Sequence, residues 1–120
     1  MTTTVIRRGD IFRINNPRRT SGSVIRKPRP CVIIQNDVAN THSPVTIVAM
    51  ITTFKGKKLY PTDVFISSRE TGLSADSVVL CNQIQTVDKS RLIRKVGEIT
   101  DAKMRDVDMA LLRSLDIDYT

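Results

Sequence analysis

The side chain in this sequence best placed for chemistry is Arg29, which opens the run Arg29-Pro30-Cys31-Val32-Ile33-Ile34-Gln35-Asn36-Asp37. Pro30 fixes its own φ and pushes Arg29 toward an extended backbone, so the arginine is expected at the mouth of a strand. A guanidinium held there offers a planar fork of donors to a phosphate. Arg26 and Lys27 stand just before it and suit phosphate contacts. Aromatic residues are few, so Phe54 and Tyr60 are the candidate platforms for base stacking, while Phe12 and Phe65 are expected in the core. His42 is the only side chain that titrates near neutrality, but a lone histidine in a polar turn is expected to be inert. Asp10 and Asp37 are expected to hold turns through side-chain-to-backbone bonds.

The sequence contains no nucleophile elbow, phosphate-binding glycine loop or paired metal ligands. With one histidine and no Cys-x-x-Cys, neither a metal nor another cofactor is expected. The remaining repertoire of Arg, Thr, Ser, Asp, Asn and Gln suits a substrate that supplies its own nucleophile. RNA does so, because its 2′-hydroxyl attacks the adjacent phosphodiester. The protein then has to hold the phosphate, stabilise developing charge and assist proton transfer, with preorganised donors supplying the largest share. Arginine stabilises charge well but donates protons poorly, its pKa being about 12 or above.

Charge points to the same end of the chain. The net charge is +7, and residues 1–30 carry eight basic side chains against Asp10 alone. Residues 31–120 are balanced, so the whole excess lies in the first quarter. A concentrated basic block suits a polyanion or an acidic protein partner. At 120 residues the chain is expected to be a single domain, 1–120, with one modest core. No apolar run approaches membrane-spanning length and the N-terminus lacks the apolar stretch of a signal peptide, so a cytoplasmic protein is expected. Cys31 and Cys81 both lie in apolar runs and are expected to be reduced core residues.

The elements that must position Arg29 read as many short strands and one helix. Ile11–Asn15 reads as a first strand after a turn at Arg8-Gly9-Asp10. The stretch 16–28 reads as a long basic loop punctuated by Pro17, Gly22 and Pro28. Cys31–Gln35 is apolar without alternation and should be buried on both faces. Asp37–Pro44 reads as a polar turn, Val45–Thr53 as a third strand and Phe54–Thr62 as a loop with Lys55, Lys57 and Lys58. Asp63–Ile66 and Ser77–Cys81 read as strands around a turn at Thr71-Gly72. Gln83–Val87 continues the sheet, Asp88–Leu92 makes a helical turn, and Val96–Ile99 is a last strand. From Thr100, a candidate N-cap, apolar residues recur at Met104, Val107, Leu111 and Leu115, which predicts an amphipathic helix. This order suggests a mainly β (α+β) fold, a small closed barrel with one covering helix.

Arg8-Gly9-Asp10, Gly22-Ser23, the Arg29–Asp37 run, Asn40, Ser43-Pro44, Ile51-Thr52 and Ser77-x-x-Leu-x-x-Gln-Ile form an ordered series at consistent spacing. The series resembles the MazF/PemK (Kid) family of toxins of type II toxin–antitoxin systems, from about Arg7 to Leu115. The resemblance implies an SH3-like β-barrel of the CcdB/MazF type with a C-terminal helix, assembled as a homodimer. It implies metal-independent, sequence-specific cleavage of single-stranded RNA (mRNA), giving 2′,3′-cyclic phosphate and 5′-hydroxyl ends. It also implies neutralisation by a cognate antitoxin whose segment occupies the RNA groove. By position, the family's catalytic arginine falls on Arg29 and its catalytic threonine on Thr52. Gln83 falls on the glutamine that precedes isoleucine and is expected near the groove. The 16–28 loop, with Ser23, Arg26 and Lys27, would cover the RNA and help choose bases. The branch commonly reads Gly-Ser-Glu-Gln-Gly-Gly in that loop. Here it reads Gly22-Ser23-Val24-Ile25-Arg26-Lys27, which removes a carboxylate, adds phosphate-binding charge and predicts an altered choice of RNA. Two rival readings are a non-catalytic RNA-binding homologue and a CcdB-like, gyrase-directed toxin.

Overall fold

The computed structural model describes residues 5–15 and 28–119, and the 16–27 part of the basic loop lies outside them. Six strands form one antiparallel sheet: β1 (Asp10–Ile14), β2 (Arg29–Ile33), β3 (Val45–Thr53), β4 (Asp63–Ile66), β5 (Ser77–Asp88) and β6 (Leu92–Glu98). Their hydrogen-bonded order is β4-β5-β3-β2-β1-β6. Three helices punctuate them: α1 (Asp37–His42), α2 (Ser68–Thr71) and α3 (Asp101–Ser114). A 3-10 turn at Lys89–Arg91 joins β5 to β6, where the helical turn was expected.

β1 begins out of a tight turn. Asp10 accepts the Arg7 N–H at 2.9 Å, and Gly9 takes a φ of +97° that other residues rarely adopt. β2 starts at Arg29 and ends at Ile33, two residues earlier at each end than expected. It lies between β1 and β3 in the sheet, and its last three residues, Cys31, Val32 and Ile33, are fully buried. Val32 packs with Ile11, Ala49, Ile51 and Val79 on one face; Cys31 and Ile33 pack with Phe12, Ile14, Val48 and Val87 on the other. The two cysteines are free, buried, and belong to different faces.

The expected polar turn at Asp37–Pro44 is instead the helix α1. Asn36 caps it by accepting the Ala39 N–H at 2.9 Å, a local signal masked by the polar composition. The Gln35-Asn36-Asp37 end of the motif is therefore structural. Asn40 is buried and bonds Gln35, Thr46 and Asp37, and Asp37 accepts the Arg8 N–H at 2.7 Å. Arg8 in turn donates Nε to the Ile34 carbonyl at 2.8 Å and pairs with Asp108 on α3. Asp10 and Asp37 thus hold turns as the sequence suggests.

Thr100 caps α3 by accepting the Lys103 N–H at 3.2 Å. The buried row of α3 is Met104, Val107 and Ala110; Leu111 packs partly, and Leu115, the last of the apolar row read from the sequence, is 58% exposed past the helix end. The barrel is not closed by strand pairing: β4 and β6 are the two edges of the sheet. The seam is bridged by α2, where Gly72 ends the helix in the left-handed region. A Cβ added at Gly97 of β6 would stand 2.2 Å from the Thr71 carbonyl oxygen, so only glycine permits this approach.

Candidate active site

The end of the sheet where β2 begins, β3 ends and β5 begins opens into a cleft of about 520 Å³. Its floor includes Arg29, Pro30, Ile51, Thr52 and Thr53, and one wall is the turn from Gly72 to Ala75. The β2–β3 ladder ends at Cys31↔Met50, and the same register continued two residues would set Arg29 opposite Thr52. Directly opposed residues on antiparallel strands project from the same face of the sheet. The fold therefore brings together two residues that are 23 positions apart in the chain. Both are half-buried, and none of the ion pairs among the described residues engages Arg29. The surface pairing with Asp10 or Asp37 that an exposed arginine could have made is not seen. Asp10 meets Lys95 at 3.1 Å, and Asp37 is held by the Arg8 backbone.

Two further arginines line the cleft, Arg13 of β1 and Arg94 of β6, which face each other across the ladder. Arg13 donates Nη1 to the Pro28 carbonyl at 3.1 Å, tying β1 to the residue that precedes Arg29. Its only sequence signal was membership of the basic first quarter. Arg94 had none, because it comes from the charge-balanced part of the chain. Asp76 braces the wall: its carboxylate accepts the Ser68 N–H at 2.9 Å and its carbonyl accepts the Phe54 N–H at 2.9 Å.

Phe54 sits just beyond Thr52, half-buried, with its ring edge-on to Phe65 at 5.1 Å and 82°. Phe12 is in the core as expected, whereas Phe65 serves this pair at the surface. Gln83 is exposed in β5, where the register jumps from Ile84↔Ala49 to Leu80↔Met50, and it does not line the cleft. Ser23, Arg26 and Lys27 lie outside the described residues. His42 is exposed at the end of α1. Among the described residues, no three His, Cys, Asp or Glu side chains gather as metal ligands would. No described helix is long and apolar enough to cross a membrane.

Fold and cleft define a class: a small antiparallel β domain, covered by a helix, that presents cationic side chains where two central strands end. The sequence profile described as PemK-like, MazF-like toxin of type II toxin–antitoxin system matches residues 7–115, and this chain belongs to that family. It is 43% identical over 113 residues to an Endoribonuclease MazF of Staphylococcus epidermidis, covering 94% of this chain and 93% of the relative. Among solved structures it resembles the Mycobacterium tuberculosis toxin MazF-mt6, with TM-score 0.76 and 25% identity over 92% of this chain and 99% of that one. It also resembles an endoribonuclease in complex with its cognate antitoxin from a mycobacterial species, with TM-score 0.76 and 24% identity over 96% and 99% of the two chains.

Proposed function

We propose that this chain is a toxin endoribonuclease that cleaves single-stranded RNA in the cytoplasm, without a metal ion, in the cleft between β2 and β3. One observation carries the reading: Arg29 and Thr52 line the same cationic cleft in a chain 43% identical, nearly end to end, to an endoribonuclease MazF. In the proposed reaction the substrate's 2′-oxygen forms a bond to phosphorus and the bond to the 5′-oxygen breaks. The Arg29 guanidinium stabilises the charge that grows on the phosphoryl oxygens, and the Thr52 hydroxyl donates to one of them. The 2′-hydroxyl proton leaves and the departing 5′-oxygen gains one. Arg13 and Arg94 add positive potential. Ser23, Arg26, Lys27 and Phe54 are proposed to contact the RNA, and Gln83 to reach it from the β5 bulge, away from the cleft wall. The protein works as a homodimer, and an acidic segment of a cognate antitoxin covers the cationic surface when the toxin is silent.

The test is cleavage of a long single-stranded RNA by the purified protein in EDTA, with the ends analysed. Cyclic phosphate and 5′-hydroxyl termini are expected. Arg29→Ala should lose at least about a hundredfold in rate, the usual effect of removing one charge-stabilising donor, with its thermal unfolding unchanged. Near-normal cleavage by that variant would remove Arg29 from the reaction.

A further inference from the structure

The β3–β4 loop carries cations and an aromatic ring for which the cleft has no use. Beyond Thr52 and Thr53 the chain continues into a second groove lined by Phe54, Lys55, Lys57, Lys58 and Tyr60. The cleft and this groove share Thr52 and Thr53, so the two surfaces meet over the end of β3. We propose that this groove is a second station for single-stranded RNA, in which Lys55, Lys57 and Lys58 hold phosphates and Tyr60 stacks a base. The proposal rests on the reading that the cleft receives RNA.

The alternative of an idle, solvated lysine loop is opposed by its fastening. The Phe54 N–H donates to the Asp76 carbonyl at 2.9 Å and the Phe54 ring packs on Phe65. At the far end the Tyr60 N–H donates to Asp63 Oδ2 at 2.9 Å, and the Asp63 N–H returns to the Tyr60 carbonyl at 2.9 Å. A loop clamped at both ends starts from an ordered backbone, so binding costs less ordering entropy than it would for a free loop. Tyr60 is nevertheless 66% exposed, which leaves ring surface for a partner. Among the described residues, no carboxylate lies within ion-pair distance of the three lysines. Asp63, the one acid in the groove, is engaged by the Tyr60 N–H. Cations interleaved with a ring are what a single strand needs, because each nucleotide brings one phosphate and one stacking face. An acidic peptide would use the cations and leave the ring idle. A strand lying with its scissile phosphate at Thr52 would continue into this groove on one side.

The experiment measures binding of a fluorescent single-stranded 2′-O-methyl RNA pool to the full chain. That probe lacks the nucleophile, so binding is read whether or not the protein cleaves. Replacing Lys55, Lys57 and Lys58 together by Ala should lower the magnitude of the log–log salt slope by about 2, at about 0.7 for each phosphate no longer held. Tyr60→Ala should weaken binding about tenfold, and Tyr60→Phe should restore it, since stacking needs the ring and not the hydroxyl. With cleavable RNA, both the lysine and the Tyr60→Ala variants should raise KM and leave kcat nearly unchanged. Wild-type affinity and salt slope in the folded variants would overturn the proposal. So would a weakening confined to binding of an acidic peptide, which would make the groove a protein-docking surface. Failure of the native chain to cleave RNA, with the variants still weakened in binding, would count against the proposed reaction alone.

Discussion

At the scale of single residues, the motif that carries the family resemblance divides into two jobs. Arg29 lines the cleft with Thr52, while Gln35, Asn36, Asp37 and Asn40 build the support behind β2. Asn40 is the centre of that support, because its Oδ1 accepts from Gln35 Nε2 at 3.0 Å and from Thr46 Oγ1 at 2.7 Å. Thr46 is fully buried, so deleting its acceptor strands a donor away from water. Asn40→Ala should therefore destabilise the fold by about 2–3 kcal/mol. Urea unfolding checks this, and a loss below about 0.5 kcal/mol would mean that water substitutes for the amide. The sequence marked Asp37 as a turn holder but did not separate Gln35, Asn36 and Asn40 from Arg29 by role, since all are polar and close together in the chain.

Among the elements, α2 has the largest unforeseen consequence. The sequence suggests only a turn at Thr71-Gly72, yet Ser67 caps a short helix that lies across the open seam between β4 and β6. The Gly72–Ala75 wall of the cleft follows directly from it. Gly97→Ala would push against a backbone carbonyl, which cannot swing aside as a flexible side chain could. Overpacking of this kind should cost about 1–3 kcal/mol and displace the wall. Thermal unfolding should show the loss and RNA cleavage an increased KM. A variant equal to the native protein in both would show that α2 relaxes freely from β6. The strand pattern itself was legible wherever β-branched runs were long, as in Val45–Thr53. Helices of four and six residues were not, because they make too few turns to establish a period.

For the molecule as a whole, one cysteine buried in each of the two apolar clusters sets the response to alkaline pH. Burial pushes the Cys31 thiol up to about 12 and the Cys81 thiol up to about 11 from the ordinary 9.0. An unfolded chain releases these protons near 9.0 and the folded one does not. The stability they secure is fully present below 9.0 and drains away as pH rises toward the folded values, by up to about 1.4 kcal/mol per pH unit for each thiol. Denaturant midpoints on either side of pH 9.0 should show this fall, and Cys31→Ala should make it shallower. At the acid end the sign reverses. The Arg8 N–H holds Asp37 below its usual 3.8, and Lys95 holds Glu98 below 4.5. Their support is present above those values and is lost as pH falls through them.

By itself the sequence determined the ingredients: short strands ending in a capped helix, two cysteines in apolar runs, an excess of charge confined to the first quarter, and an arginine set in extended backbone by Pro30. These are local matters of φ, periodicity and composition, legible from neighbours in the chain. The tertiary structure decided what stands beside what. It brought Thr52, Arg13 and Arg94 to the same cleft as Arg29, left Gln83 outside it, and bridged the seam with α2 instead of a strand pair. Such neighbours are chosen by sheet register and by the sharing of one core. Both depend on the whole set of strands at once, and no short stretch of sequence contains them.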